Sequence, residues 1–397
     1  MLETIETTAL VVPLPIDASP GLYVHVPFCR HICPYCDFNT YAGQEKLIPE
    51  YVAAVIEEMR ITADGQVASG TPTLFFGGGT PSLLTPDQVA SVVIAARELF
   101  GLCDDAEVTL ESNPESLDAL NLAGLRDAGV NRLSIGVQSQ QRAGLRVLGR
   151  GHTSQKAEIA IQAAREAGFD NLSLDFIFGW PGQTDVDWQA DLETILRWQP
   201  EHVSLYSLIV EPGTPMHSAV DRGILRALDD DTAAGFYERA MEVLAGAGWE
   251  HYEIANWARE PRYRSRHNQL YWQAGPYHGF GAGAHGTIGP VRSSNLLLPS
   301  KYMAVVREGK RPHAVSETIS RETAMGETMM LGLRLLVDGV SASAFAARHG
   351  QSLTERYSAE IDRFVSLGLL EWHTPDRLRL TRRGGLLANE VSAAFLA

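Results

Sequence analysis

The sequence predicts an α/β protein: a partly open (β/α)6 barrel followed by a C-terminal α-helical, winged-helix-like domain. From residue 21 onward, six short β-rich runs alternate with longer segments of helical periodicity, which is typical of parallel sheets with crossover helices. Cysteines, glycines and polar side chains come directly after these β-rich runs. Because the carboxyl ends of parallel strands form the functional face of such folds, the six loops are expected to converge on one site.

Each unit is predicted to begin with a strand, and all but the last continue into a predicted helix. The strands are expected at residues 22–27, 73–76, 107–111, 132–137, 172–178 and 203–210, and the helices at 45–62, 86–100, 117–128, 154–167 and 186–198. Thr85-Pro86 and Thr153-Ser154 are typical helix starts, because a threonine hydroxyl can accept a hydrogen bond from a free N–H of the first turn. Gly168 is a typical helix stop.

A second region with a different pattern of predicted elements follows the barrel. A helix is predicted at 232–245, and the segments 252–257, 266–272 and 279–289 are predicted to extend the sheet with turns. Helices are then expected at 321–336, 343–348 and 353–367, before a hairpin of 369–372 with 377–380. The expected divisions are a short N-terminal extension (1–20), the barrel (21–230), its extension with a His-Asn-x-x-Tyr-Trp segment (231–300) and the C-terminal domain (301–397).

The composition is that of a globular chain with more than one domain. The chain has 397 residues, of which 45% are hydrophobic and 20% are charged, and these fractions exclude a disordered chain. Its net charge of −15 argues against broad binding to nucleic acid or to an anionic membrane. No apolar run is long enough to predict a transmembrane helix.

Cysteine usage and the N-terminal residues both predict a cytoplasmic location. The first twenty residues carry Glu3 and Glu6 and lack a basic region, so they do not resemble a signal peptide. Three of the four cysteines are clustered, which suits metal binding in a reducing compartment better than a disulfide framework. The remaining cysteine, Cys103, is expected to be a partly buried packing residue.

The clustered cysteines lie in one short loop after the first predicted strand. Cys29, Cys33 and Cys36 have the spacing Cys-x3-Cys-x2-Cys. Three thiolates on one loop can bind three irons of a [4Fe–4S] cube and leave the fourth iron open to a small molecule. A zinc ion is the alternative, but structural zinc usually takes four ligands, so His25 or His31 would have to contribute.

Glycines and polar side chains follow the other strands. The run Gly-Gly-Gly-Thr-Pro at 77–81 allows a ligand to approach the backbone closely, and its N–H groups can hold a carboxylate. Glu111, Gln138, Arg150 and Asp175 lie at or just beyond strand ends, where an adenosyl amino-acid ligand would need hydrogen bonds. Asp175 stands inside an apolar run, so burying its carboxylate would be costly unless something pairs with it.

These motifs together resemble the radical S-adenosylmethionine (SAM) superfamily. The likeness rests on the cysteine spacing, with an aromatic residue before the last cysteine, and on the Gly-Gly-Gly-Thr-Pro run. Residues 23–29, 77–81, 136–139 and 178–184 further resemble the branch that contains oxygen-independent coproporphyrinogen III dehydrogenase and the HemW heme chaperones. The resemblance covers about residues 21–390 of the chain.

The resemblance implies a [4Fe–4S] cluster on the three cysteines, with SAM chelating the fourth iron through its amine and carboxylate. An electron donor would drive the reductive cleavage of SAM to a 5′-deoxyadenosyl radical. The residues that match SAM-binding motifs by position are Tyr23, Tyr35, Gly78, Gly79, Thr80, Glu111, Gln138, Arg150, Asp175 and, more loosely, Ile209.

Departures from the two patterns separate the dehydrogenase from the heme chaperones. The dehydrogenase pattern has another cysteine two residues past the last ligand, where this chain has Phe38, and a longer N-terminal arm. The His-Asn-x-x-Tyr-Trp run at 267–272 matches the signature of HemW-type proteins. His267 is therefore expected to ligate heme iron, with the Tyr-Trp pair stacking on the porphyrin. His278 and His285 are further candidates for the same role.

The sequence thus predicts a heme chaperone that binds heme and passes it to an acceptor protein. One alternative is the dehydrogenase, which converts two propionates to vinyl groups, and another is a passive iron–sulfur or nucleic-acid-binding protein. Basic residues do cluster around the predicted hairpin, at Arg377, Arg379, Arg382 and Arg383. The acidic chain as a whole favours a solvated surface there rather than a nucleic-acid site.

Overall fold

The fold is known from a computed structural model that describes residues 19–65 and 70–396. The predicted N-terminal extension therefore lies, except for its last two residues, outside the described part of the chain. Within the described ranges, no helix combines the length and the apolar character needed to cross a membrane.

Six parallel strands form the barrel, and each of the predicted strands is present. They lie side by side in chain order, so every connection moves to the neighbouring strand. The elements of this region are β1 (Gly21–Val26), β2 (Phe28–Cys29), β3 (Tyr41–Ala42), α1 (Ile48–Ala63), β4 (Thr73–Gly78), α2 (Pro86–Phe100), β5 (Glu107–Ser112), α3 (Ala119–Asp127), β6 (Arg132–Gln138), α4 (Arg142–Val147), α5 (Ser154–Glu166), β7 (Leu172–Phe178), α6 (Asp185–Trp198), β8 (His202–Ser207) and α7 (Pro215–Asp221).

Local sequence explains where these helices begin and end. At α2, the Thr85 hydroxyl accepts a hydrogen bond from the N–H of Gln88, and the Gln88 side chain accepts one from the N–H of Thr85. This reciprocal pair satisfies two N–H groups that the helix itself leaves free. Gly101 ends α2 with a φ of 66°, a conformation that glycine adopts without steric cost. The predicted bounds of α2 are confirmed.

Apolar side chains on the outer face of the strands pack against the helices and form the main core. Leu22, Leu74, Leu110, Leu133 and Leu172 are each fully buried in this cluster. Alternate residues along a strand point to opposite faces, so the intervening residues face the barrel interior. The polar residues predicted from the strand ends are among them, which places the site on the inner face.

Additional strands extend this sheet on both sides of the barrel. The whole sheet has the strand order β14-β13-β12-β11-β1-β4-β5-β6-β7-β8-β10-β9, so the barrel stays open. Strand β11 runs parallel to β1, whereas β12, β13 and β14 continue as an antiparallel meander. The elements of the extension are α8 (Asp230–Gly246), β9 (Glu250–Glu253), β10 (Asn256–Ala258), α9 (Arg266–Trp272), β11 (Tyr277–Phe280), β12 (His285–Ile288), β13 (Val291–Asn295), α10 (Pro299–Arg307) and β14 (His313–Thr318).

Two predicted strand segments are wrong. Residues 266–272 form the helix α9 instead of a strand, because the Ser265 hydroxyl caps the helix by accepting a hydrogen bond from the Asn268 N–H. Strand β8 ends at Ser207, so residues 208–210 lie in a loop. The short helices α4 and α7 were not predicted.

The C-terminal region has its own hydrophobic cluster, formed by residues between Met325 and Phe395. Helix α13 contributes Leu353, Tyr357 and Ile361, which recur every four residues and are buried. This spacing gives an amphipathic helix with one apolar face. The elements are α11 (Arg321–Gly332), β15 (Val340–Ser341), α12 (Ala342–His349), α13 (Leu353–Ser366), β16 (Leu370–Thr374), β17 (Arg377–Leu380), α14 (Arg382–Leu386) and α15 (Ala388–Ala393).

Ion pairs join this C-terminal region to the barrel extension. The Arg264 guanidinium lies 2.7 Å from Glu250 and 2.9 Å from Asp338, and Arg382 lies 3.1 Å from Glu242. The pair with Glu242 uses Arg382, one of the arginines clustered around the predicted hairpin. The C-terminal region therefore packs beside α8 and α9.

Candidate functional site

A cavity of about 500 Å³ opens at the carboxyl ends of the barrel strands. It is lined by every predicted cluster- or SAM-binding residue except Tyr23: Cys29, Cys33, Cys36, Tyr35, Gly78, Gly79, Thr80, Glu111, Gln138, Arg150, Asp175 and Ile209. These residues come from the six parallel strands of the barrel and the loops that follow them. The parallel topology thus brings the strand ends together at one site, as expected.

The cysteine loop forms one wall of this cavity. Cys29 ends β2, which is held in place by pairing with β3, and a turn follows in which the Cys36 N–H donates to the Cys33 carbonyl at 3.1 Å. All of the cysteines are free thiols. The Thr80 hydroxyl donates to Cys29 Sγ at 3.5 Å, and such a contact stabilises sulfur in its thiolate form. Burial raises the pKa of Cys29 and of Cys36, so these thiols need a metal or cationic partner to ionise fully.

The geometry of the loop bears on the choice between zinc and an iron–sulfur cluster. Within residues 19–65 and 70–396, no three His, Cys, Asp or Glu side chains converge closely enough to share one metal ion. A [4Fe–4S] cube does not require such convergence, since each thiolate binds a different iron. His25 is already engaged, because its Nε2 donates to the Asn39 carbonyl and its Nδ1 accepts from the Tyr23 hydroxyl, each at 3.0 Å. The three thiols therefore fit a cluster better than a preformed zinc site.

The glycine run shapes the floor of the cavity. Gly78 has a φ of 112°, which strains any other residue, and its N–H donates to the Glu111 carboxyl at 3.0 Å. At Gly79 an added Cβ would lie 2.8 Å from the Phe28 carbonyl oxygen and 3.0 Å from Cys29 Sγ. The glycines thus allow the β4 loop to pack directly on the cysteine loop.

Two partly buried carboxyl groups, Glu111 and Asp175, face the cavity. Burial, together with the nearby Asp175, raises the pKa of Glu111 to about 8. Burial also raises the pKa of Asp175, although the Ser134 hydroxyl donates to both of its oxygens at 2.9 and 3.0 Å. A partly buried acid pair of this kind is stabilised by a cationic or hydroxyl-bearing ligand. SAM supplies an ammonium, a sulfonium and ribose hydroxyls, so the pair fits it.

Arg150 and Gln138 complete the polar lining. Arg150 donates to Cys33 Sγ at 3.5 Å and to the Gly136 carbonyl at 3.1 Å, and it also contacts the Asn113 amide oxygen. Gln138 has a φ of 65°, where a bulge interrupts the pairing of β6. Its Oε1 and the Nε of Arg150 are buried without a hydrogen-bond partner in the described chain. Unpaired buried polar atoms at a cavity wall indicate a missing ligand.

Three other predicted residues occupy different positions around the site. Tyr35 lines the cavity and packs against the apolar cluster of Leu148, Ile177 and Trp180. Ile209 is 66% exposed at the cavity mouth. Tyr23 lies behind the cavity, where burial, followed by the nearby Glu111, raises its pKa. Its hydroxyl donates to His25 Nδ1 at 3.0 Å.

His267 lies on α9, apart from the cavity, and packs against Phe75 of β4. It is 1% exposed, and hydrogen bonds occupy both ring nitrogens: Nδ1 to the Thr73 hydroxyl at 2.8 Å and Nε2 to the Tyr271 hydroxyl at 2.7 Å. Burial lowers the pKa of His267 to about 3. Its heme-ligand role stays a prediction, and that role requires the ring to leave at least one of these bonds. His278 is also buried and lies against Phe100.

One residue that supports the site was not predicted from the sequence. Asp191, on α6, is fully buried and accepts hydrogen bonds from the Ser139 hydroxyl and the Gln140 N–H, each at 2.8 Å. These bonds fix the loop that carries Gln138. A usable signal was present, because Asp191 stands on the apolar face of α6 between Trp188 and Ile195, where an acid needs partners.

We expect Gly79→Ala to lower the SAM affinity of the cluster-loaded protein at least tenfold. Its Cβ would overlap a backbone oxygen that cannot move freely, and overpacking of this kind costs about 1–3 kcal/mol. Equilibrium binding of SAM measures the effect. Gly235→Ala is the matched control, because nothing lies near the Cβ it would add. Unchanged SAM affinity in Gly79→Ala would contradict the close packing of the two loops.

Two protein-family models and several known proteins match this chain. Residues 23–195 match the Radical SAM superfamily, and residues 319–387 match the HemN C-terminal domain. The Bacillus subtilis protein named heme chaperone HemW is 38% identical over 94% of this chain and 98% of its own length. A Mycobacterium tuberculosis protein of the same name is 38% identical over 96% of both chains.

A solved structure and a mammalian relative extend the comparison. The coproporphyrinogen III oxidase HemN of Escherichia coli has a TM-score of 0.82 over 96% of this chain and 91% of its own, at 21% identity, which supports the fold alone. The mouse protein named radical S-adenosyl methionine domain-containing protein 1, mitochondrial, is 40% identical over 90% of this chain and 84% of its own. The near full-length identity to the HemW proteins, with the cavity built as described, shows that this chain belongs to the HemW family of radical SAM proteins.

Proposed function

We propose that this protein is a heme chaperone, which binds heme and transfers it to an acceptor protein on a scaffold that carries a [4Fe–4S] cluster and SAM. The observation that carries the proposal is the identity of 35–38% to several proteins named heme chaperone HemW, which match over 94–96% of this chain. The site supports it, because the three free thiols and the partly buried acid pair line one cavity.

Within that site each residue has a distinct task. Cys29, Cys33 and Cys36 would hold the cluster, and Arg150, which contacts Cys33 Sγ and lines the cavity, would offset the negative charge of the thiolates. Glu111 would receive the positive charge or hydroxyl groups of SAM. When bound, the cluster and SAM supply reductive chemistry that needs an external electron donor.

Phe38 favours heme handling over propionate decarboxylation. It lies in the cavity lining at the position where the dehydrogenase pattern has a further cysteine, and it is 67% exposed. Phe38 offers an apolar contact there and no thiol.

The test is to reconstitute the cluster without oxygen and to run two measurements on the same sample. Heme is titrated by its absorbance, and coproporphyrinogen III is incubated with SAM and a reductant. We expect one heme per chain and no vinyl product. Formation of protoporphyrinogen IX at enzymatic rates would favour the dehydrogenase, and the absence of stoichiometric heme uptake would refute the chaperone proposal.

A further inference from the structure

A second cavity of about 400 Å³ lies between the sheet extension and the C-terminal region. One side of this cavity is polar and the other is apolar. The apolar wall is formed by Tyr271, Trp272, Tyr277, Ile319, Met330 and Leu331. Its volume lies in the range of small-molecule sites. Its lining shares no residue with the cavity that holds the cysteines.

This second cavity is a cleft, and one face of the extended sheet forms its floor. Tyr277 pairs with Thr287, which pairs with Arg292 on the next strand, so these side chains point to the same face. His285, two residues before Thr287, points there too. His285 is exposed, and no hydrogen bond joins its ring to another residue in the described ranges. It therefore offers a free imidazole nitrogen to the cleft.

The polar side of the cleft has an excess of guanidinium groups. Arg348 donates to the carbonyls of Gln273 and Ala274 at 3.1 and 2.6 Å, and its Nε is buried without a partner. Arg321 contacts the His349 carbonyl, and its Nε is likewise unpartnered.

Neither of these arginines is paired with a carboxylate in the parts of the chain that the structure describes. Burial lowers the pKa of Arg348, as expected for a cation that lacks a counter-ion. The carboxylate in the lining is that of Glu327, which is bound to Arg292. The cleft thus has two unneutralised positive charges, and guanidinium groups bind carboxylates through paired N–H donors.

We propose that this cleft is the heme site: Arg321 and Arg348 bind the two propionates, His285 ligates the iron, and Tyr271, Trp272 and Tyr277 contact the porphyrin. This inference rests on the proposed function and adds the site to it. The match is one of charge and chemistry, because heme combines a flat apolar ring, an imidazole-binding iron and two carboxylates. An exposed ligand on an open cleft suits a cargo that must be released.

The same geometry gives the buried His267 a positioning role. Its Nε2 is bound to the Tyr271 hydroxyl at 2.7 Å, and the Tyr271 ring lies edge-on to Tyr277 with centroids 4.5 Å apart. His267 thereby fixes the orientation of an aromatic wall of the cleft. Loss of His267 is expected to weaken heme binding without removing the axial imidazole from the spectrum of the complex.

The experiment titrates heme and heme dimethyl ester into cluster-loaded protein. His285→Ala is expected to lower heme affinity at least tenfold and to abolish the spectrum of imidazole ligation. Arg321→Gln with Arg348→Gln is expected to lower the affinity for heme at least tenfold but to leave that for the ester within twofold, since the ester lacks the carboxylates. His373→Ala and Arg97→Gln, both at surface positions outside the cleft, are the matched controls.

The outcomes separate this site from the wider function. If the wild type binds heme while the His285 and arginine variants keep its spectrum and affinity, the cleft is refuted and the chaperone function stands. If the wild type takes up no heme, both fail. Should the arginine variants lose their fold, as judged by circular dichroism and iron content, Ala324→Phe replaces them: it fills the cleft without altering charge, and unimpaired heme uptake in it refutes the site.

Discussion

Cys33→Ser is expected to abolish assembly of the [4Fe–4S] cluster and, with it, all reductive cleavage of SAM. A serine hydroxyl is a poor iron ligand at neutral pH because it stays protonated, whereas cysteine binds as the thiolate. His25 offers no substitute, since both of its ring nitrogens are hydrogen-bonded. Iron and sulfide content after anaerobic reconstitution, and 5′-deoxyadenosine formation, measure the effect.

Cys103→Ser is the control for that experiment. Cys103 is partly buried against the main core and does not line the cluster cavity. The substitution Cys103→Ser should therefore leave iron content and SAM cleavage unchanged and should lower the stability only slightly. A cluster that survives in Cys33→Ser but is lost in Cys103→Ser would overturn the assignment of the ligands.

The barrel could be predicted from the sequence because its signals are local. An apolar strand followed by an amphipathic helix is visible within about thirty residues, and the Thr85 cap and Gly101 stop mark boundaries by side-chain chemistry. Helix α9 escaped prediction because it has only seven residues, which include a tyrosine and a tryptophan, and aromatic residues favour strands. The decisive signal was Ser265, whose capping bond outweighs this preference.

The strand-end site was predictable for the same reason, whereas the second cavity was not. Parallel topology alone brings Cys29, Glu111 and Asp175 to one edge of the sheet. The cleft at Arg348 and His285 exists only because the C-terminal helices dock on the sheet extension, and nothing in the local sequence encodes that docking. The burial of His267 was hidden likewise, since its partner Thr73 is 194 positions away in the chain.

Glu58 is an acid whose burial gives the fold a specific pH dependence. It lies on α1, is 2% exposed, and accepts hydrogen bonds from the Tyr302 hydroxyl at 2.6 Å and the Gly281 N–H at 2.8 Å, and from the Asn295 amide at 2.6 Å. These contacts connect the barrel to its extension. Despite the three donors, burial raises the pKa of Glu58 to about 7.

We expect the free energy of unfolding of Glu58→Gln, relative to that of the wild type, to increase by about 3 kcal/mol as the pH rises from 4.5 to 8. The folded-state pKa of about 7 lies above the usual value of 4.5, so the folded wild type binds more protons than the unfolded chain between these values. Its stability is therefore full below pH 4.5 and decreases as pH rises towards 7. Glutamine cannot ionise, so the variant lacks this loss.

Denaturant unfolding of both proteins across this pH range, followed by tryptophan fluorescence, measures the difference. Other buried acids, such as Asp191 and Glu253, also have raised pKa values, so the slope of the wild type alone is not diagnostic. The comparison with Glu58→Gln cancels their contribution. Glu57→Gln, one residue away on the same helix but exposed and paired with Arg60, is expected to run parallel to the wild type. If the free energy of unfolding of Glu58→Gln also changes with pH in parallel with that of the wild type, Glu58 ionises in the folded protein as it does in water.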